Sequence, residues 1–185
     1  MSEDNYTKIE DHIEKITKPE DVAYLYNKNF VNWRGPTTPD KEKSFYTDYI
    51  AKQLLSELNI NELFCRINSS ERDSYFVKSH DGVTKKHTNR SEEIFAKSLL
   101  GHSLEHLGKV VGYQVPLKAS QSDDYGKIDL VSFDDKNSTA YIIELKMADK
   151  KETLLRAALE IETYHHIVKE KKLKKYFEKK GYIKP

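Results

Sequence analysis

The stretch Lys127-Ile-Asp-Leu-Val-Ser-Phe-Asp-Asp-Lys-Asn-Ser-Thr-Ala-Tyr-Ile-Ile-Glu-Leu-Lys146 decides how this chain is read. Residues 127–133 have the composition of a strand, 134–139 are a cluster of turn formers, and 140–147 are a second apolar run of strand length. A turn centred near Lys136 and Asn137 pairs the two runs antiparallel and sets Asp129 opposite a residue between Glu144 and Lys146. Side chains alternate faces along a strand, so Glu144 and Lys146 share a face and Leu145 points the other way. Opposed residues on one face have Cβ atoms about 5 Å apart. Asp129 and Glu144 are therefore expected to meet.

Two facing carboxylates repel, and apolar neighbours such as Ile142, Ile143 and Leu145 add a desolvation cost. A divalent cation offsets both. Mg²⁺ is a hard ion, held by one or two carboxylates together with waters and phosphate oxygens, and this donor set suits it. Lys146 is placed to orient an attacking water and to neutralise charge growing on a phosphate. A Glu-x-Lys pair alone is ordinary on the wet face of a strand in a chain that is 33% charged. The facing Asp129 makes the pair a candidate metal site.

These residues resemble the PD-(D/E)XK nuclease superfamily, whose signature is an Asp on one strand followed by Glu-x-Lys on the next. The matching segments are Gly126-Lys-Ile-Asp-Leu and Ile143-Glu-Leu-Lys, with Ile128 where the signature has Pro. The resemblance implies a helix, three strands and a helix around the motif.

Working outward, that order is expected here. Asn89-Arg-Ser-Glu-Glu-Ile-Phe-Ala-Lys-Ser-Leu-Leu opens with helix-start signals, and Phe95, Ala96, Leu99, Leu100, Leu104 and Leu107 continue its apolar stripe up to a stop at Gly108. Residues 109–117 read as a strand that Pro116 ends. A long helix then begins at Asp149-Lys-Lys-Glu and carries Leu154, Leu155, Ala158, Leu159, Ile161 and Ile167. Residues from about 89 to 173 give αβββα.

In the family an acidic residue of the first helix often completes the metal site, which implies Glu93, with Glu92 as the accessory alternative. Glu92, three residues after Asn89, also suits a capping box, and both glutamates suit the positive end of a helix. On the second helix Arg156, Glu160 and Tyr164 form one polar stripe at four-residue spacing. RecB-like members carry Gln-x-x-x-Tyr there, which Glu160-x-x-x-Tyr164 resembles with Glu in place of Gln. That likeness implies nucleic-acid contacts from Arg156 and Tyr164 and an accessory role for Glu160. The family also adds a fourth strand after the second helix, whereas only Gly181-Tyr-Ile-Lys-Pro185 is left for it here. The strand is expected to be short, missing or supplied from elsewhere. An exposed sheet edge would then favour a homodimer by strand pairing.

The rest of the chain bounds the reading. Its 185 residues, 37% hydrophobic, have room for a nuclease-like core over 89–185 and a mainly helical N-terminal extension over 1–88. In the extension, residues 19–30 and 41–58 have helical spacing, and 64–67 and 75–77 are candidate short strands. Tyr24, Tyr26, Phe30, Trp33, Phe45, Tyr46 and Tyr49 are expected in its core, with base stacking as the alternative. A single Cys65 excludes a disulfide framework, and no apolar run approaches the roughly 20 residues of a membrane span. A cytoplasmic protein without membrane partners is expected. The net charge of +1 is unevenly spread, with lysines at 169, 171, 172, 174, 175, 179 and 180 making the C-terminal end basic. His102 with His106, and His165 with His166, have spacing compatible with zinc, but no cysteine accompanies them and no metalloprotease Glu lies between them. They are read as surface or packing histidines.

The expectation is an α/β protein with a mixed sheet and a three-layer restriction-endonuclease-like core, its fourth strand short or missing. By the resemblance it is a nuclease hydrolysing nucleic acid, DNA first, with Mg²⁺ or Mn²⁺. Asp129, Glu144 and the Leu145 backbone carbonyl would hold the metal, and Glu93, Asp129, Glu144 and Lys146 would act in catalysis. The alternative is a catalytically silent interaction module on the same fold.

Overall fold

The computed structural model describes residues 4–34, 45–56, 58–70, 75, 91–118, 125–147 and 152–182. In chain order the elements are helices α1 (Asp4–Glu14) and α2 (Pro19–Ala23), two 3₁₀ turns (Leu25–Asn27, Asn29–Asn32), and helices α3 (Tyr46–Ser56), α4 (Ile60–Cys65) and α5 (Ser91–Ser98). Strands β1 (Ser103–Leu104), β2 (Gly108–Pro116), β3 (Lys127–Asp134) and β4 (Thr139–Ile143) follow, then helices α6 (Leu154–Ile167) and α7 (Glu170–Lys179). The protein is thus mixed α/β. Its two compact units cut across chain order: residues 1–68 with 150–166, and residues 69–149 with 167–185.

The second unit is built on the quoted hairpin. Leu130 pairs with Ile143, Val131 with Ile142, Ser132 with Tyr141, Phe133 with Ala140 and Asp134 with Thr139. Asp134 closes the turn, one carboxylate oxygen accepting the Lys136 N–H at 3.0 Å and the other the Asn137 side-chain amide at 2.7 Å. Ser138 takes the left-handed conformation such a turn needs, with φ 53°. The sheet order is β1-β2-β3-β4, every pair antiparallel. The expected mixed sheet is therefore corrected, because each strand returns beside its predecessor. Just beyond β2, the Leu117 N–H donates to the carbonyl of Gly126, just ahead of β3, at 3.2 Å. The sheet's fourth member is β1, a two-residue strand ahead of β2 and not the strand expected after the second helix; among the described residues no strand follows β4.

The helix expected over 89–107 ends at Ser98. Beyond it the chain folds back on β2: the Gly101 N–H donates to the Val110 carbonyl, and the Val110 N–H to the His102 carbonyl, both at 2.9 Å. Gly101 turns the chain with φ 83°. Gly108 is not a helix stop but the first residue of β2; with φ 75°, a Cβ there would lie 2.2 Å from the Phe133 carbonyl oxygen.

The two faces of the sheet carry different helices. On one, Ala96 of α5 packs with Val110, Tyr113 and Leu130, joined by Leu99, Leu100, Leu104, Ile143 and Leu145. On the other, Phe177 of α7 meets Phe133 with ring centroids 5.2 Å apart, and the Tyr176 hydroxyl donates to the Val111 carbonyl at 3.0 Å. Full burial of a side chain such as Leu130 contributes about 1.5–3 kcal/mol. By strand alternation Asp129 lies on the same face as Val131 and Phe133.

The single long helix expected after the hairpin is two helices. The Lys169 N–H donates to the Tyr75 hydroxyl at 3.1 Å instead of a carbonyl one turn back, which ends α6 and starts α7. The helix also begins at Leu154 and not at 149. Thr153 caps it, its Oγ1 accepting the Arg156 N–H at 3.2 Å.

The first unit is helical. Its core includes Ile9, Val22, Leu25, Ile50 and Leu54. Asp21 accepts the Thr17 and Lys18 N–H groups, and with Pro19 in the first helical turn it starts α2. Tyr26, Phe30 and Tyr46 are buried, whereas Phe45 is exposed. Phe64, expected in a strand, lies in α4. The Thr153 hydroxyl donates to the Val31 carbonyl at 2.7 Å and the Arg34 guanidinium to the Glu152 carbonyl at 2.8 Å, tying the start of α6 to the N-terminal residues. Asn89, and with it any capping box to Glu92, lies outside the described residues. No helix among the described residues is long and apolar enough to cross a membrane.

Candidate functional site

Continuing the hairpin register one step past Leu130 and Ile143 sets Asp129 opposite Glu144. The second strand stops short of the expected Met147. Its ladder ends at Ile143 because the Leu145 N–H donates to Asp129 Oδ2 at 2.9 Å, a side-chain acceptor in place of a strand carbonyl. The other carboxylate oxygen, Oδ1, accepts the Gln114 side-chain amide at 2.7 Å. Asp129 is only 9% exposed, so these two donors fix the carboxylate inside the protein.

Glu144 and Lys146 form an ion pair, and the Glu144 side chain is 8% exposed. A nearly buried carboxylate next to a second one is costly unless compensated, and the ammonium supplies part of that compensation. Leu145 between them is anchored twice, by its N–H on Asp129 and by its side chain in the core. The residues singled out on the hairpin are thus brought together around one end of β3.

The acidic residues of α5 take different partners. Glu92 Oε1 accepts the Met147 N–H at 3.3 Å, next to the Glu144–Lys146 segment. The Glu93 charge reaches Tyr113, whose phenol is pushed above its ordinary range first by burial and then by that charge.

Arg156, Glu160 and Tyr164 lie on α6 in the first unit. Arg156 Nη1 pairs with Glu152 Oε1 at 3.3 Å, and the Tyr164 hydroxyl donates to Glu160 Oε1 at 2.9 Å. Tyr164 is buried, its ring edge-on to Tyr26 at 5.9 Å. Burial and the Glu160 charge raise the Tyr26 phenol above its ordinary range, against the lowering effect of its bond with Tyr164. His102 and His106 do not share a helix: His102 precedes β1, and His106 sits in a turn with φ 62° beside Glu105.

Sequence reasoning missed Gln114. It lies opposite Asp129 in β2 and holds a left-handed backbone, φ 47°, within a strand. Its residue type carried one signal, an amide between the apolar Val110 and Leu117, and nothing in the residue type signalled the backbone. Residues held in such conformations cluster where a side chain must be aimed.

No protein-family model, curated protein or solved structure matches this chain.

Proposed function

We propose that Asp129, Glu144 and Lys146 form the site of a metal-dependent phosphodiesterase acting on nucleic acid, with DNA as the first substrate to test. The observation that carries the reading is the Asp129 carboxylate, clamped by Gln114 and the Leu145 N–H and facing the ion-paired Glu144 across the hairpin. The donor set fits a hard divalent ion: two largely buried carboxylates at the paired ends of neighbouring strands. Bound there, Mg²⁺ or Mn²⁺ would polarise a phosphoryl oxygen and make a bound water more acidic.

The side chains divide the remaining work. Asp129 and Glu144 hold the ion, and the Leu145 carbonyl is proposed as a further ligand. Lys146 balances Glu144 in the resting site and neutralises charge growing on the phosphate during attack. Glu93 assists from α5, with Glu92 holding the Met147 end of the segment. Arg156 is proposed as a phosphate contact of the first unit, and Glu160 and Tyr164 support one another there.

The test is Mn²⁺ binding by calorimetry together with cleavage of single- and double-stranded DNA, for the native chain and for Asp129→Asn and Asp129→Ala. Cleavage is expected to fall by about 10²-fold or more in both variants. A native chain that binds no Mn²⁺, or cleavage that survives Asp129→Ala, overturns the proposal. DNA binding without metal-dependent cleavage would assign the silent module instead.

A further inference from the structure

Three donors of a different kind meet on the last turns of α6. Glu162, His165 and His166 stand at i, i+3 and i+4, positions that a helix makes mutual neighbours on one face. A carboxylate oxygen of Glu162 and one ring nitrogen from each histidine all lie within 4.8 Å of one another. The His166 Nε2 is 3.1 Å from Glu162 Oε1, and its ring stacks on Phe64 with centroids 5.8 Å apart and planes 14° from parallel. The His165 ring stands edge-on to His166 at 5.2 Å. His165 is exposed while the other two are half-buried, so the cluster is braced from beneath and open from outside.

Neither a cysteine nor a Glu between the histidines accompanies this pair in the sequence. The third donor is one turn upstream. Two imidazoles and one carboxylate make a borderline donor set, which suits zinc and discriminates against Mg²⁺, an ion that prefers oxygen throughout. We propose that Glu162, His165 and His166 bind one zinc ion through three protein ligands, leaving coordination open to water or to a ligand from outside. The Phe64 stack and the Glu162 contact hold the His166 ring in place before the metal arrives. An i, i+4 ion pair between Glu162 and His166 would explain that one distance, but it gives no part to His165.

The proposal is tested by titrating the full chain with Zn²⁺ in calorimetry, with and without excess Mg²⁺, and by recording the visible spectrum with Co²⁺ in its place. One zinc per chain is expected, undisturbed by Mg²⁺. His165→Ala, which alters an exposed side chain, and Glu162→Gln are each expected to weaken zinc about 10-fold or more and to change the Co²⁺ spectrum. Asp129→Asn is expected to leave zinc binding unchanged, which separates this site from the hairpin carboxylates. Absence of zinc binding overturns the proposal. So does binding that survives both α6 substitutions, or binding that is lost with Asp129→Asn.

Discussion

The side-chain amide of Gln114 donates to Asp129 Oδ1 at 2.7 Å from a residue whose own backbone is left-handed, φ 47°. A left-handed residue with a Cβ costs about 1–2 kcal/mol. Here the cost accompanies the aiming of one donor at one carboxylate. The two effects separate in a pair of variants. Gln114→Ala loses the amide and keeps the strain, whereas Gln114→Gly loses both. The Gly variant is expected to be about 1 kcal/mol more stable than the Ala variant in urea unfolding, while both lose Mn²⁺ affinity to the same degree. Equal stability of the two would show that the backbone at 114 carries no strain.

Glu93 and Tyr113 give a second handle. Because the Glu93 charge adds to burial in raising the Tyr113 phenol, Glu93→Gln is expected to lower that pKa while leaving it above the ordinary tyrosine value, since burial remains. Ultraviolet titration of the phenolate, with Tyr113→Phe to assign the signal, reads this directly. Glu92→Gln is expected to leave Tyr113 unmoved.

Alkaline stability should report on Tyr176. Burial, with a smaller contribution from Tyr182, pushes its phenol up to about 12 from an ordinary 10.0. The folded state thus favours the neutral form. Its contribution to stability is complete below pH 10 and is lost as pH rises from there through about 12. Tyr176→Phe is expected to flatten the decline over that window. At neutral pH it should cost about 1–2 kcal/mol, because the Val111 carbonyl loses its donor. Unfolding curves at neutral pH and at several alkaline values check both.

Thr153 joins two tasks in one hydroxyl, donating to the Val31 carbonyl and accepting the Arg156 N–H. The isosteric Thr153→Val removes the cap and leaves a buried carbonyl without that donor. A loss of about 1–3 kcal/mol is expected, with faster amide exchange in the first turn of α6. Exchange confined to other segments would contradict the capping role.

The hairpin was readable because two local signals agreed, period-two apolar runs and a cluster of turn formers, and the pairing of Leu130 with Ile143 follows from them. What escaped was decided by partners distant in sequence. Leu104 and Leu107 continue a helical stripe on paper, yet the chain turns at Gly101 to pair with β2. Nothing near Lys169 breaks a helix, but its N–H is taken by Tyr75. The early end of β4 has the same origin, a carboxylate sixteen residues away replacing a strand carbonyl. Asp129, Glu144 and Lys146 stand out by residue type and spacing. Gln114 lay one strand earlier, at a position where only the backbone marks it out.

The plain succession of β2, β3 and β4 also has a consequence for how the protein comes into being. Gln114, Asp129, Glu144 and Lys146 all lie in or just beyond strands that are neighbours both in the chain and in the sheet. Closing short connections costs little entropy, so such a meander can form before contacts that join distant parts of the chain. The carboxylate pair is thereby expected to be among the earlier groupings to take shape. Its mutual repulsion must then be borne by the growing sheet itself, with Gln114, Leu145 and Lys146 as the groups already at hand to contain it.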